Sequence, residues 1–152
     1  MFTEKCFIRK NTQELREKLD ELGYIHTQNW PEKSKNKCRM IMCDNNYVSR
    51  YYYNYIESQD KDFFKTFIDC GDNEDLFLAI ASIRNDSDIN QWFICTNDYT
   101  RWNEDCPIYV DYRHLKGEIY YNDELEDFND DDDKEFWKKA TPNELIEHFK
   151  NK

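Results

Sequence analysis

Three glycines and three prolines in 152 residues are too few to make the turns of a strand-rich chain, so asparagine and aspartate must carry much of the turn chemistry. Long apolar runs are missing as well. No stretch approaches the ~20 apolar residues of a membrane helix, and Met1 to Lys10 holds no apolar segment long enough for export, so a cytoplasmic, membrane-free setting is expected. The chain lacks a Gly-x-Ser-x-Gly nucleophile turn, a phosphate-cradling loop and a dinucleotide fingerprint, which removes three large enzyme classes from consideration. Histidine is scarce and scattered, at His26, His114 and His148. Six cysteines stand at 6, 38, 43, 70, 95 and 106, yet Cys38 and Cys43 are separated by four residues and no second Cys or His pair has zinc-ribbon or finger spacing. No metal and no cofactor are expected, and the thiols are expected to be reduced, several of them at alternating strand positions where Cys acts as a small hydrophobe.

Positive charge is also short: 21 Lys/Arg face 32 Asp/Glu, for a net charge of −11. The imbalance is uneven. Residues 1–65 hold 12 Lys/Arg against 10 Asp/Glu, whereas residues 66–152 hold 9 against 22. The second half repels a nucleic-acid backbone, so direct nucleic-acid binding is disfavoured and a protein with a basic surface is the partner this field attracts. Against these deficits the chain is 39 % hydrophobic and carries four Trp, eleven Tyr and ten Phe, enough for one real core within the length of one domain.

Apolar pattern, capping and turn signals agree best over Phe64 to Thr96. Phe64, Thr66, Ile68 and Cys70 alternate with Lys65, Phe67 and Asp69, the period of a strand, and Gly71 lets the chain turn. Asp72 or Asn73 can cap a helix over 73–84 whose first turn carries Glu74 and Asp75 at the positive end of the dipole. Leu76, Phe77, Ala79, Ile80, Ala81 and Ile83 occupy too many sides for a narrow stripe, so burial around most of that helix is expected. After a polar turn at 85–88, Ile89 to Thr96 resumes as a strand with Trp92 and Ile94 on one side and Phe93 and Cys95 on the other.

The flanks carry their own signals. Lys5 to Lys10 reads as a short strand, and Asn11 with Glu14 as the start of a helix over 12–22 with Leu15, Leu19 and Leu22 on one face and Gly23 as its stop. Tyr24 to Thr27 can return as a strand. The segment 28–37, with Trp30, Pro31 and lysines 33, 35 and 37, reads as an exposed loop. Arg39 to Cys43 and Tyr47 to Asn54 form a hairpin around Asp44, Asn45 and Asn46, residues that tolerate a left-handed turn. Tyr47, Tyr51 and Tyr53 point one way and Val48 and Tyr52 the other. So many tyrosines fit either cross-strand packing or a contact surface, since Tyr supplies large area at low entropic cost. Residues 97–105 read as polar, with short strands at 107–112 and 118–121 around Gly117. Thr141, Pro142 and Glu144 are an N-cap, a first-turn proline and a capping-box carboxylate for a last helix over 142–150, with Leu145, Ile146 and Phe149 on its buried face.

Residues 122–133 pack eight acids into twelve positions, a self-repelling run expected to be a mobile loop. Calcium chemistry fails there: an EF-hand needs glycine at its sixth position and glutamate at its twelfth, and loops starting at Asn129 or Asp127 offer Lys134 with Ala140, or Asp132 with Lys138. Asp132, Asp133 and Lys134 imitate a nuclease carboxylate-x-lysine but sit inside the run instead of on a strand.

Three stretches carry a resemblance: Cys6-Phe7-Ile8-Arg9-Lys10-Asn11 with Leu15 and Leu22-Gly23-Tyr24; Phe67 to Gly71 through Leu76 to Ala81, Arg84 and Asp86 to Gln91-Trp92-Phe93; and Lys139-Ala140-Thr141 with Glu144 to Phe149. Together they resemble small uncharacterised proteins of phages and integrated mobile elements of Bacteroides-like gut bacteria. That likeness implies a bacterial host cytoplasm as the setting and transfers no functional residue.

The sequence therefore points to a single α+β domain over 1–152, a mostly antiparallel sheet with a buried central helix at 73–84 and flanking helices at 12–22 and 142–150. The expected function is a non-enzymatic phage or mobile-element accessory protein that binds a host protein, in its narrower form an acidic inhibitor of a nucleic-acid-binding host or defence factor. The alternatives are a small metal-dependent enzyme acting on nucleotides or nucleic acid and a minor virion or assembly component. Partner contact is assigned to Tyr47, Tyr51 and Tyr53 on the hairpin and to Asp130, Asp131, Asp132 and Asp133 in the acidic run.

Overall fold

Alternation along β1 (Lys5–Ile8) puts Cys6 and Ile8 on one side and Phe7 on the other, and all three are buried, so this strand lies inside a sheet covered on both faces. The computed structural model describes residues 1–26, 40–51, 65–101, 112–122 and 134–150. They adopt the α+β class expected from the sequence, gathered into two compact units, Met1–Asp86 and Ser87–Lys152.

In the first unit β3 (Met40–Asp44) runs antiparallel to β1, with Cys43 opposite Cys6 and Ile41 opposite Ile8. β4 (Tyr47–Tyr51) turns back antiparallel on β3 through Asn45 and Asn46, whose φ values of 40° and 95° are the left-handed conformations anticipated for asparagine here. β2 (Ile25–His26) and β5 (Ile68–Asp69) add at the two edges in parallel, giving the order β2-β4-β3-β1-β5. One face carries Cys6, Ile8, Ile41, Cys43 and Val48, none more than 1 % exposed. The other carries a buried cluster of Phe7, Met40, Met42 and Phe67.

Helix α1 (Gln13–Leu22) buries Leu15 and Leu19 and ends at Gly23, whose φ of 103° satisfies the left-handed C-cap. Its cap is Thr12, not the expected Asn11: the Thr12 hydroxyl accepts from the Leu15 amide at 3.2 Å, while the Asn11 side chain accepts from the Arg16 guanidinium. The central helix, α2 (Glu74–Ala81), starts from an Asn73 cap and packs against β1. Leu76, Phe77, Ala79, Ile80 and Ala81 are all buried, which is the wide coverage the sequence implied. It stops three residues short of 84. Ile83 accepts from the Thr3 amide at 3.1 Å and Arg84 bridges Phe2, so pairing with the first residues of the chain replaces the last helical turn.

The second unit is built on a three-stranded antiparallel sheet of order β10-β6-β9, from β6 (Gln91–Cys95), β9 (Ile119–Asn122) and β10 (Trp137–Lys139). In β6 Gln91, Phe93 and Cys95 are buried and Trp92 and Ile94 half-buried, the expected alternation. A short antiparallel pair, β7 (Tyr99–Arg101) and β8 (Tyr112–His114), lies in the same unit. Helix α3 (Pro142–Lys150) buries Leu145 and Phe149.

Two expectations need correcting. The strand, helix and strand expected over Phe64 to Thr96 are β5, α2 and β6, but among the described residues β5 pairs with β1 and β6 with β9 and β10, in different units. β5 is also only two residues long, with Lys65 and Thr66 in a turn and Phe67 the buried side chain. The polar segment after Asn97 contains a strand, β7, because Tyr99 stacks on Phe136 with centroids 4.3 Å apart and on His114 at 5.0 Å, contacts that composition along the chain does not reveal. Of the strand expected at 107–112, only Tyr112 is described, at the start of β8. The loop at 28–37, the hairpin beyond Tyr51 and the acidic run from Asp123 to Asp133 lie outside the described residues.

Candidate functional site

The hairpin places its first tyrosine where a partner can reach it. Tyr47 is 51 % exposed, whereas Val48, the next residue on the opposite face, is 1 % exposed. Tyr51 closes the same strand, paired with Met40. Tyr53 and Asp130, Asp131, Asp132 and Asp133 lie outside the described residues.

Three clusters have the side chains that chemistry uses. Cys6, Cys43 and Cys70 converge from β1, β3 and the end of β5, all buried and free. Burial, then the neighbouring Cys43 and Cys70, pushes the Cys6 thiol well above its ordinary range, the opposite of an activated thiolate. Among the described residues no group of three or more His, Cys, Asp or Glu is arranged to hold a metal ion.

His26 contacts Asp20 through Nε2, but among the described residues its buried Nδ1 has no hydrogen-bond partner. His114 Nδ1 lies 3.0 Å from Glu118 and its ring is packed against Tyr99 and, edge-on at 5.6 Å, Trp137. That hydrogen bond holds the Glu118 carboxyl below the usual carboxylate range.

The second unit contains an aromatic layer that no local pattern in the sequence marks. Phe136, Tyr99 and His114 stack in series, Trp137 Nε1 donates to the Tyr99 hydroxyl at 2.6 Å, and Tyr120 stands edge-on to Trp137. A second group joins Trp92, Tyr121, His148 and Phe149. Only their abundance was visible along the chain, since each group draws its members from distant stretches. Beside them the turn before β6 is pinned by side chains: Lys139 donates to the Ser87 carbonyl at 2.6 Å, Asn122 to the Asp88 carbonyl at 2.8 Å and Gln91 to the Ile89 carbonyl at 3.2 Å. Buried amides spent on backbone carbonyls in this way fix a loop.

These features define an α+β protein with an exposed aromatic at a strand start and two groups of aromatic rings that pack on one another. The chain matches no family model, no curated protein and no solved structure. Among the described residues no helix is long and apolar enough to cross a membrane.

Proposed function

We propose that this chain is a non-enzymatic accessory protein of a phage or integrated mobile element, acting in the bacterial host cytoplasm by binding a host protein that carries a basic surface. Its narrower form is an acidic inhibitor that occupies the nucleic-acid site of a host or defence factor. The observation that carries the reading is Tyr47, an aromatic ring 51 % exposed beside Val48, which faces the other way and is buried. A ring exposed at a rigid strand gives a contact residue with little entropy left to lose. The charge supports the same partner: residues 87–152 hold 17 Asp/Glu against 8 Lys/Arg, and residues 1–86 hold 15 against 13.

The test is affinity capture of host proteins on the tagged chain from a lysate of a Bacteroides-like bacterium, washed at low and at high salt. The expected result is a discrete basic protein held at low salt and released at high salt. Recovery of nothing beyond an untagged control, or of a partner indifferent to salt, would overturn the proposal.

A further inference from the structure

Four residues stand in one line across an end of the five-stranded sheet. The strand register sets Ile25 beside Tyr47, Tyr47 opposite Asp44 and Asp44 opposite Lys5. Residues paired across strands project from the same face, with Cβ atoms about 5 Å apart. All four are open to solvent: Ile25 is 61 % and Tyr47 51 % exposed, and the Asp44 and Lys5 side chains 45 % and 37 %. Further along that face the sheet is closed, with Met42 and Phe7 buried.

The line is rigidly held. The two-residue turn joining Asp44 to Tyr47 is tied to the rest of the unit through Asn46, whose carbonyl accepts from the Ile25 amide at 3.1 Å and whose side chain accepts from the Phe2 amide at 3.3 Å. Asp44 itself is loosely engaged. Its ion pair with Lys5 spans 3.5 Å between exposed groups, a contact that a better donor displaces at little cost.

We infer that this row is a receptor for an arginine side chain of a basic partner: the guanidinium lies along the Tyr47 ring and donates to the Asp44 carboxylate, while its methylene stem covers Ile25. A planar guanidinium stacks on an aromatic face and forks onto a carboxylate at the same time, using a ring and an acid set side by side. Lysine, a compact and strongly hydrated charge, satisfies one of these contacts well and not both. Ile25 supplies the apolar surface along which such a stem packs, and a net charge of −11 draws a cationic partner toward the molecule. The inference rests on the reading of the chain as a binder of a basic protein, and it adds Asp44 and Ile25 to Tyr47 as the residues that would select the partner.

The experiment is a titration of the full, isotopically labelled chain with capped nona-arginine and, separately, nona-lysine peptides, followed residue by residue in NMR spectra. Nona-arginine is expected to shift the amides of Ile25, Asp44 and Tyr47 and the Tyr47 ring signals, and to bind there roughly tenfold more tightly than nona-lysine. Tyr47→Phe is expected to keep this preference. Tyr47→Leu, which leaves apolar area without a ring, and Asp44→Asn are each expected to remove most of it, with unchanged melting as the control for folding.

Undisturbed signals along the row, equal affinity for the two peptides, or full binding by Tyr47→Leu would overturn the inference. A partner captured from lysate whose binding ignores both substitutions would likewise overturn the arginine row while leaving the wider binder reading intact. Nona-arginine seated on the row with no basic protein recovered from lysate would do the reverse.

Discussion

Cys6 shows how far one residue's fate depends on register. The Phe7 carbonyl accepts from the Cys70 amide at 2.9 Å and the Arg9 amide donates to the Gly71 carbonyl at 2.6 Å, so residues 7 and 9 direct their backbone groups toward β5. Cys6, one residue out of phase with them, directs its own toward β3, which makes its register with Cys43 a hydrogen-bonded pair. Such pairs keep their Cβ atoms about 5.5 Å apart, beyond the roughly 3.5–4.5 Å of a disulfide. Two thiols that face each other in a core therefore stay unjoined, and burial keeps Cys6 protonated and inert. Titration of protein denatured without reductant is expected to return six thiols, and native protein to alkylate at Cys6 only as fast as it unfolds. A Cys6–Cys43 cross-link in non-reducing peptide maps would refute the pairing register.

At the scale of the element, α3 carries the most complete local signal. The Thr141 amide donates to Glu144 at 2.8 Å and the Glu144 amide to the Thr141 hydroxyl at 3.3 Å, a reciprocal capping box, and Lys138 Nζ adds a contact to the same carboxylate at 2.8 Å. Thr141→Ala is expected to cost about 1 kcal/mol, read as a lower melting temperature. Partial burial alone would raise the Glu144 carboxyl; the bonds from Lys138 and Thr141 outweigh it and hold the group below its usual range. Below the ordinary glutamate value of about 4.3 the unfolded chain takes up the proton first, so this stabilisation is whole above that value and is lost as pH falls through the lower folded-state one. The stability difference between Glu144→Gln and the parent is expected to be largest near neutrality and to shrink in acid. A gap that persists undiminished at about pH 2 would mean that the carboxylate charge contributes nothing to the cap.

For the whole molecule the deciding quantity is charge, because long-range attraction sets how fast a partner is found while short-range contacts set how long it stays. Replacing Asp130, Asp131, Asp132 and Asp133 by Asn is expected to slow association with a captured basic partner and flatten its salt dependence, with dissociation little changed. Tyr51→Ala or Tyr53→Ala is expected to quicken release and leave the salt slope intact. Equal association rates for the neutralised and parent chains across salt concentrations would remove the acidic run from the mechanism.

The sequence by itself determined what local rules control. Asn45 and Asn46 were legible as a left-handed turn, Gly23 as a helix stop, Thr141 with Glu144 as a cap, and the apolar crowding from Leu76 to Ala81 as a buried helix, because each depends on residues a few positions apart. That Tyr47 and Val48 face opposite ways was legible for the same reason, from the period of the strand; which of the two is open to solvent was not. Tertiary structure decided what joins distant stretches: that β5 pairs with β1 and β6 with β9 and β10, that α2 yields its last turn to pairing with Phe2 and Thr3, that Tyr99 lies in a strand, and that Ile25, Tyr47, Asp44 and Lys5 share one row. The physical reason is that a strand's side-chain period names its two faces but not its neighbours; partners and register follow from which apolar surfaces are buried together.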